Sequence, residues 1–265
     1  MTTRPRGRVR ALAGKVKRRA PLRPLRVLFP FGLWRRLFRL WLAVIRAQPD
    51  REKAMRELLE VHDVAFQGMD RGAIDYDGGI HAKHRLTRYH DFFVERIRPG
   101  ERVLDVGCHK GELAIDIAER TGATVVGIDR SPWALEQARG RFSHSNVTYV
   151  EADALAFAPD EPFDVVVLSN VLEHLGPRVE FLRGLRDRVG ATCLLIRVPV
   201  LERDWTVPLR RELGLAYFSD PEHEVEYDVD LLRTELSAAG WEMREPVLAW
   251  SEIWAEARPA ELSDA

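Results

Sequence analysis

The chain has 265 residues, 46% of them hydrophobic and 31% charged, which is enough apolar content for one substantial core and too ordinary a composition for wholesale disorder. The formal net charge of -1 hides an asymmetry. Residues 1–49 hold fourteen Arg or Lys and no acid, whereas the remainder carries 26 basic against 41 acidic side chains. Two cysteines, Cys108 and Cys193, exclude a disulfide framework and any CxxC metal site, and a reducing cytoplasmic setting fits them.

Residues 1–30 mix Arg, Pro and Gly and read as a basic, disordered tail. From Phe31 to Ala47 helical spacing gathers Arg35, Arg36, Arg39 and Arg46 on one arc. Trp34, Leu37, Phe38, Trp41, Val44 and Ile45 fall opposite them. A basic amphipathic helix with two indoles suits an anionic membrane surface, reached through residues 31–47. The competing use of the apolar face is packing on a second stripe formed by Ala54, Met55, Leu58, Leu59, His62 and Phe66. Nucleic acid is not expected as a partner, because the acidic body would repel its backbone. The arginines leave no apolar run long enough to span a bilayer.

Gly68 to Gly79, rich in glycine and charge, reads as a linker or lid, so residues 31–79 form a helical extension ahead of a domain over 80–258 and a tail over 259–265. A helix is expected from His84 to Ile97, stopped by Pro99 and Gly100. His81, His84 and His90 in this stretch lack zinc spacing and read as solvated or hydrogen-bonded histidines.

Residues 102–111, RVLDVGCHKG, are a short apolar run ending in Asp105 and opening into a turn with Gly107 and Gly111, followed by a helical pattern. Strand, glycine turn and helix in that order aim backbone N–H groups at a small polar ligand in an open α/β sheet. A second strand ends at Asp129, with Ser131 as N-cap and Pro132 opening the next helix. A third strand ends near Asp153. The nearly all-apolar fourth, FDVVVLSNVLEHL, places Ser169 to His174 at its C-terminal end. A helix over about 178–188, a fifth strand, an irregular segment over 201–227, a helix over 230–239 and two closing strands complete the chain. This alternation describes an α/β, doubly wound sheet of about seven strands with an antiparallel edge.

Acids at three strand ends, in a turn reading DxGxxxG rather than GxGxxG, favour a ligand bearing an ammonium or a vicinal diol over a pyrophosphate. The segment 80–258 thereby resembles the class I S-adenosylmethionine-dependent methyltransferases, whose fold is Rossmann-like. VLDVGCHKGELA resembles that family's first motif, VVGID its second-strand acid, EADAL its adenine-contact motif and FDVVVLSNVLEHL its fourth.

The resemblance implies S-adenosyl-L-methionine as cofactor. Asp105 would face the methionine ammonium, the Gly107 backbone would approach the ligand, and Asp129 would accept both ribose hydroxyls. Asp153 and Ala154 would sit at the adenine, and Ser169 and Asn170 would line the methionyl end. Cys108, His109 and Gly111 complete the turn and Arg130 follows the second acid. His109 departs from the pattern, standing where the family usually has glycine.

The implied activity is methyl transfer to an O or N of a small-molecule or glycan-type acceptor. His174 is the first general-base candidate, next to Glu173, and His223 is the second. A divalent metal on Glu173, His174 and His223 is the weakest reading of that end, and no metal is assigned. The alternatives are a non-catalytic cofactor-binding or membrane-associated module and, after it, a nicotinamide-dependent oxidoreductase, which the missing GxGxxG disfavours.

Overall fold

The structure, a computed structural model, describes residues 31–261; the basic tail over 1–30 and the last residues of the expected C-terminal tail lie outside them. The described residues divide into two compact units, one ending at Gln67 and one beginning at Gly68. That division falls earlier than the 79/80 boundary the sequence pattern suggests. In the first unit, α1 (Phe31–Arg46) forms as the spacing predicts, and Ile45 is its buried residue. Its neighbour α2 (Arg51–Tyr76) buries Ala54 and Leu59. The linker expected over 68–79 is mostly helix: Gly68 and Gly72 lie inside α2, which runs on to Tyr76 before Gly78 and Gly79 turn the chain at positive φ. Helix-forming neighbours outweigh about 1 kcal/mol of glycine penalty at each position.

The helix expected over 84–97 is two short ones, α3 (Lys83–Thr87) and α4 (His90–Val94). They are separated by Arg88 in the left-handed region at φ 52°. The break lets Tyr89, Phe92 and Phe93 turn into one apolar cluster against the sheet.

Among the described residues one sheet holds eight strands: β1 (Arg102–Val106), β2 (Thr124–Asp129), β3 (Val147–Glu151), β4 (Val165–Ser169), β5 (Cys193–Pro199), β6 (Trp241–Met243), β7 (Val247–Ala249) and β8 (Glu252–Pro259). Their order is β3-β2-β1-β4-β5-β8-β6, with β7 also on β8, and β1 to β5 are mutually parallel. Between them run α5 (Glu112–Thr121), α6 (Pro132–Arg141) and α7 (Arg178–Asp187). Both faces of β4 and β5 are covered, so these strands read as continuous apolar runs rather than alternating ones. Two buried clusters, one on each face, form the core.

Ser131 caps α6 by accepting from the Ala134 N–H at 3.2 Å, with Pro132 at the first helical position, as expected. The segment over 201–227 contains α8 (Thr206–Glu212), a helix the polar sequence conceals. After α9 (Val229–Ala238) come β6, β7 and β8. The first of the two closing strands is therefore split in two. β8 is inserted antiparallel between β5 and the β6 and β7 pieces, and is not itself the edge. Because β1 lies between β2 and β4, the strand order reverses beside it, and the crevice at that switch point is where ligands of open α/β sheets bind.

Candidate active site

Register brings the expected residues to one end of the sheet. Val106 is level with Ile128 on β2 and Leu168 on β4, so the segments that follow all three strands leave the sheet together. Asp105, 1% exposed, has an Oδ2 with no hydrogen-bond partner among the described residues. Burial, and then the nearby charge of Asp129, push its pKa up to about 7. A buried carboxylate oxygen of this kind is unfavourable until a donor meets it, and an ammonium is the natural one.

The turn after β1 differs from the expectation that its amides face a ligand. The N–H groups of Gly107 and Cys108 both donate to the Ile128 carbonyl, at 2.8 and 3.0 Å, and that of Gly111 to Cys108 at 2.9 Å. His109 donates its N–H to Asp129 Oδ2 at 2.9 Å. These donors build the turn instead of facing outward. Its glycines answer a steric need as well. A Cβ on Gly111 would lie 2.3 Å from the Tyr149 hydroxyl oxygen, and one on Gly107 would lie 3.1 Å from Val171.

His109 takes the left-handed backbone itself, at φ 48°. Its ring is turned outward, 6.5 Å from that of Trp133, so it does not fill the space a glycine would leave. Cys108 is buried against Gly127 and the Tyr149 cluster, and burial pushes its thiol pKa up, leaving it only backbone at this end.

Asp129 Oδ1 accepts from the Ser131 N–H at 2.8 Å, so each of its oxygens already holds one backbone donor. A carboxylate oxygen has a second lone pair, which leaves capacity for a diol. Arg130 is exposed beside it. Asp153 is exposed and accepts from the Leu155 N–H at 3.0 Å, while Ala154 packs partly buried on the core.

At the end of β4, Ser169 accepts from Arg197 Nη1 at 3.1 Å. Asn170 sits at φ 58° with its Oδ1 buried and without a partner among the described residues. Arg197, buried and in a bidentate pair with Glu252, lies over the Tyr89 ring at 3.9 Å. Sequence reading passed over this arginine, because within TCLLIRVPV it looks like an interruption of an apolar strand.

Beyond Asn170 a single 3-10 turn, Leu172–His174, carries Glu173 and His174. The backbone carbonyl of Glu173 accepts from Glu224 N–H at 2.7 Å, which docks the 219–227 segment onto the turn. Two histidines forty-nine positions apart thus meet edge to face, the rings of His174 and His223 lying 4.6 Å apart. Glu226 Oε1 accepts from His223 Nδ1 at 3.0 Å; Arg203 and Ser219 donate to the same carboxylate. Burial alone would lower the pKa of His223, but the Glu226 hydrogen bond and the charges of Glu173 and Glu226 raise it overall. That of His174 is lowered by burial and by His223.

The three histidines near α3 hydrogen-bond to each other or to acids. His84 Nδ1 is 3.0 Å from His90 Nε2, His90 Nδ1 is 3.0 Å from Asp116, and His81 is 3.1 Å from Asp70.

Residues 103–189 match the methyltransferase domain family. Over 115 residues the chain is 38% identical to the ribosomal protein L11 methyltransferase of Burkholderia lata, which covers 42% of this chain and 36% of that protein. It is 34% identical over 127 residues to the mitochondrial ubiquinone biosynthesis O-methyltransferase of Schizosaccharomyces pombe, covering 43% and 46% respectively. The chain thus spans less than half the length of these curated relatives. Among solved structures, the magnesium protoporphyrin IX methyltransferase of Synechocystis PCC 6803 with bound SAH superposes with a TM-score of 0.55. That match has 19% identity and covers 68% of this chain and 85% of that one, a likeness of fold.

Proposed function

We propose that this chain, which carries a class I S-adenosylmethionine-dependent methyltransferase domain, transfers the sulfonium methyl group to an oxygen or nitrogen of a small-molecule or glycan-type acceptor. The observation that carries the reading is Asp105, a buried acid with an unpartnered oxygen beside Asp129 at the switch point of the sheet. S-adenosylmethionine offers the ammonium and the vicinal diol that two such carboxylates suit. Asp153 and Ala154 would border the adenine, and Ser169 and Asn170 the methionyl end.

Methyl transfer from a sulfonium is an in-line displacement, so the protein's part is to align the acceptor and exclude water. The polar groups beyond β4, with the partly exposed His174 foremost, would manage the acceptor's proton. The relatives named above differ in their acceptors, and the segment over 201–227, with its own helix, is the part of this chain that would choose one.

Calorimetry with S-adenosylhomocysteine tests the reading. Saturable one-to-one binding is expected, lost on Asp105→Ala; no binding to the intact protein would sink it.

The first unit supports a peripheral-membrane setting. On α1, Trp34 and Trp41 remain 51% and 49% exposed, and Leu37 and Phe38 are exposed beside them. No helix among the described residues is long and apolar enough to cross a membrane. Insertion of this face at an anionic surface would use Arg35, Arg36 and Arg39 alongside the indoles. Co-sedimentation with phosphatidylserine vesicles should disappear when residues 1–47 are removed, and unchanged pelleting would count against it.

A further inference from the structure

Glu173 presents a chemical problem that methyl transfer does not solve. Its side chain is fully buried, and neither carboxylate oxygen has a hydrogen-bond partner among the described residues. A carboxylate removed from water in this way must be protonated or meet a cation. Arg203 is committed to Glu226, and Arg197 to Glu252. What Glu173 does face is imidazole: one ligand atom from each of Glu173, His174 and His223 lies within 4.8 Å of the others.

The surroundings are built to hold this arrangement. Glu226 anchors Nδ1 of His223, which leaves Nε2 as the nitrogen available to an ion, the pattern by which carboxylates orient metal-bound histidines. Glu226 is braced in turn by Arg203 and by the Ser219 hydroxyl. On the other side, the Glu224 N–H bond to the Glu173 carbonyl ties the loop carrying His223 to the turn carrying Glu173 and His174.

We propose that Glu173, His174 and His223 bind one divalent transition-metal ion. Two nitrogens and one oxygen suit zinc, manganese, cobalt or iron. Magnesium and calcium favour oxygen sets. Three protein ligands leave positions open for water or for an oxygen of the substrate.

The consequence for chemistry rests on the methyl-transfer reading, although the site itself does not. An acceptor hydroxyl held on the ion loses its proton to solvent more readily, as bound water does. Its oxygen then forms a bond to the methyl carbon while the carbon–sulfur bond breaks and the sulfonium becomes a neutral thioether. The ion thereby takes over the proton management otherwise given to His174.

Full-length protein dialysed against a chelator is titrated with Co²⁺ alone, followed by visible absorption, and then with Zn²⁺ in competition. One equivalent of Co²⁺ should give ligand-field bands that Zn²⁺ abolishes. Glu226→Gln, which touches no ion, should weaken binding by roughly 10–100-fold. Glu173→Gln and His223→Ala should each weaken it further than that. No bands with the intact protein, or bands unchanged in both ligand variants, would overturn the proposal. Calorimetry with S-adenosylhomocysteine on the same samples separates the two readings. Lost nucleoside binding with Co²⁺ bands intact overturns methyl transfer and leaves the metal site standing, and bands absent with nucleoside binding intact does the reverse.

Discussion

The backbone N–H of His109 donates to Asp129 Oδ2 at 2.9 Å, so the acid at the end of β2 holds in place the one residue of the turn that departs from glycine. The bond explains how a residue with a Cβ is kept at φ 48°, where left-handed backbone costs about 1–2 kcal/mol. With the ring directed toward Trp133, the departure is confined to the outer side of the turn.

His109→Gly should therefore be neutral or stabilising by up to about 1 kcal/mol, since glycine takes this conformation without strain but adds freedom to the unfolded chain. Affinity for S-adenosylhomocysteine should change less than about threefold, well under the 1.4 kcal/mol of a tenfold effect. Urea unfolding and calorimetry check the two halves. A large loss of affinity would mean that the imidazole itself meets the ligand.

Asp105 sets a pH dependence. Its pKa of about 7 in the folded chain lies above the ordinary aspartate value of 3.8, so between those limits the folded protein holds a proton that the unfolded chain has released. Stability of the ligand-free protein therefore falls as pH rises through that window. Asp105→Asn should flatten this slope, raise Tm near pH 7 and abolish the Tm increase given by S-adenosylhomocysteine. Thermal melts at several pH values test it, and parallel slopes for both proteins would count against the assignment.

Arg197 and Glu252 join the parallel part of the sheet to its antiparallel part, across the β5 and β8 pairing. Arg197→Met leaves Glu252, partly buried and still accepting from Trp254 Nε1, without its guanidinium and should destabilise by about 2–4 kcal/mol. The double change Arg197→Met with Glu252→Leu should recover much of that loss in urea unfolding, since no charge is then stranded. Equal destabilisation of single and double variants would mean that the loss comes from packing over Tyr89.

Gly111→Ala combines a positive φ of 81° with a methyl group placed 2.3 Å from the Tyr149 oxygen. A loss of about 2–4 kcal/mol is expected from strain and overpacking together. Tyr149→Phe in that background should restore only part of it, because a ring carbon remains 2.7 Å from the added methyl group. Full restoration would locate the whole conflict at the hydroxyl.

Local patterns in the sequence carried those parts of the molecule that local physics decides. The apolar run before Asp105, the Ser131 and Pro132 start of α6, and the two-faced apolar β4 are each visible within ten residues. The course of 68–79 was not, because two glycines inside a long helix look the same as two glycines in a linker until the whole of α2 is counted. Arg88 broke an expected helix through tertiary packing of Phe92 and Phe93, which no spacing rule registers. At the site, acids at strand ends were legible because chain order in a doubly wound sheet dictates where strands end. The partners of those acids were not. The amides of the turn are spent on Ile128 and Asp129, and the meeting of His174 with His223 depends on a loop docking through backbone hydrogen bonds.

The central place of β1 also bears on the order in which a nascent chain can assemble. Its two neighbours are β2, about twenty residues away, and β4, some sixty residues away, with Val171 closing on Gly107 only after β4 is laid down. Ten consecutive residues spell the turn, yet one of its walls leaves the ribosome long after it does. Contacts of such sequence separation form slowly, because loop closure must precede them. Competence to hold a nucleoside should accordingly arise late in refolding, after the helices have formed, and addition of S-adenosylhomocysteine should slow unfolding more than it speeds folding.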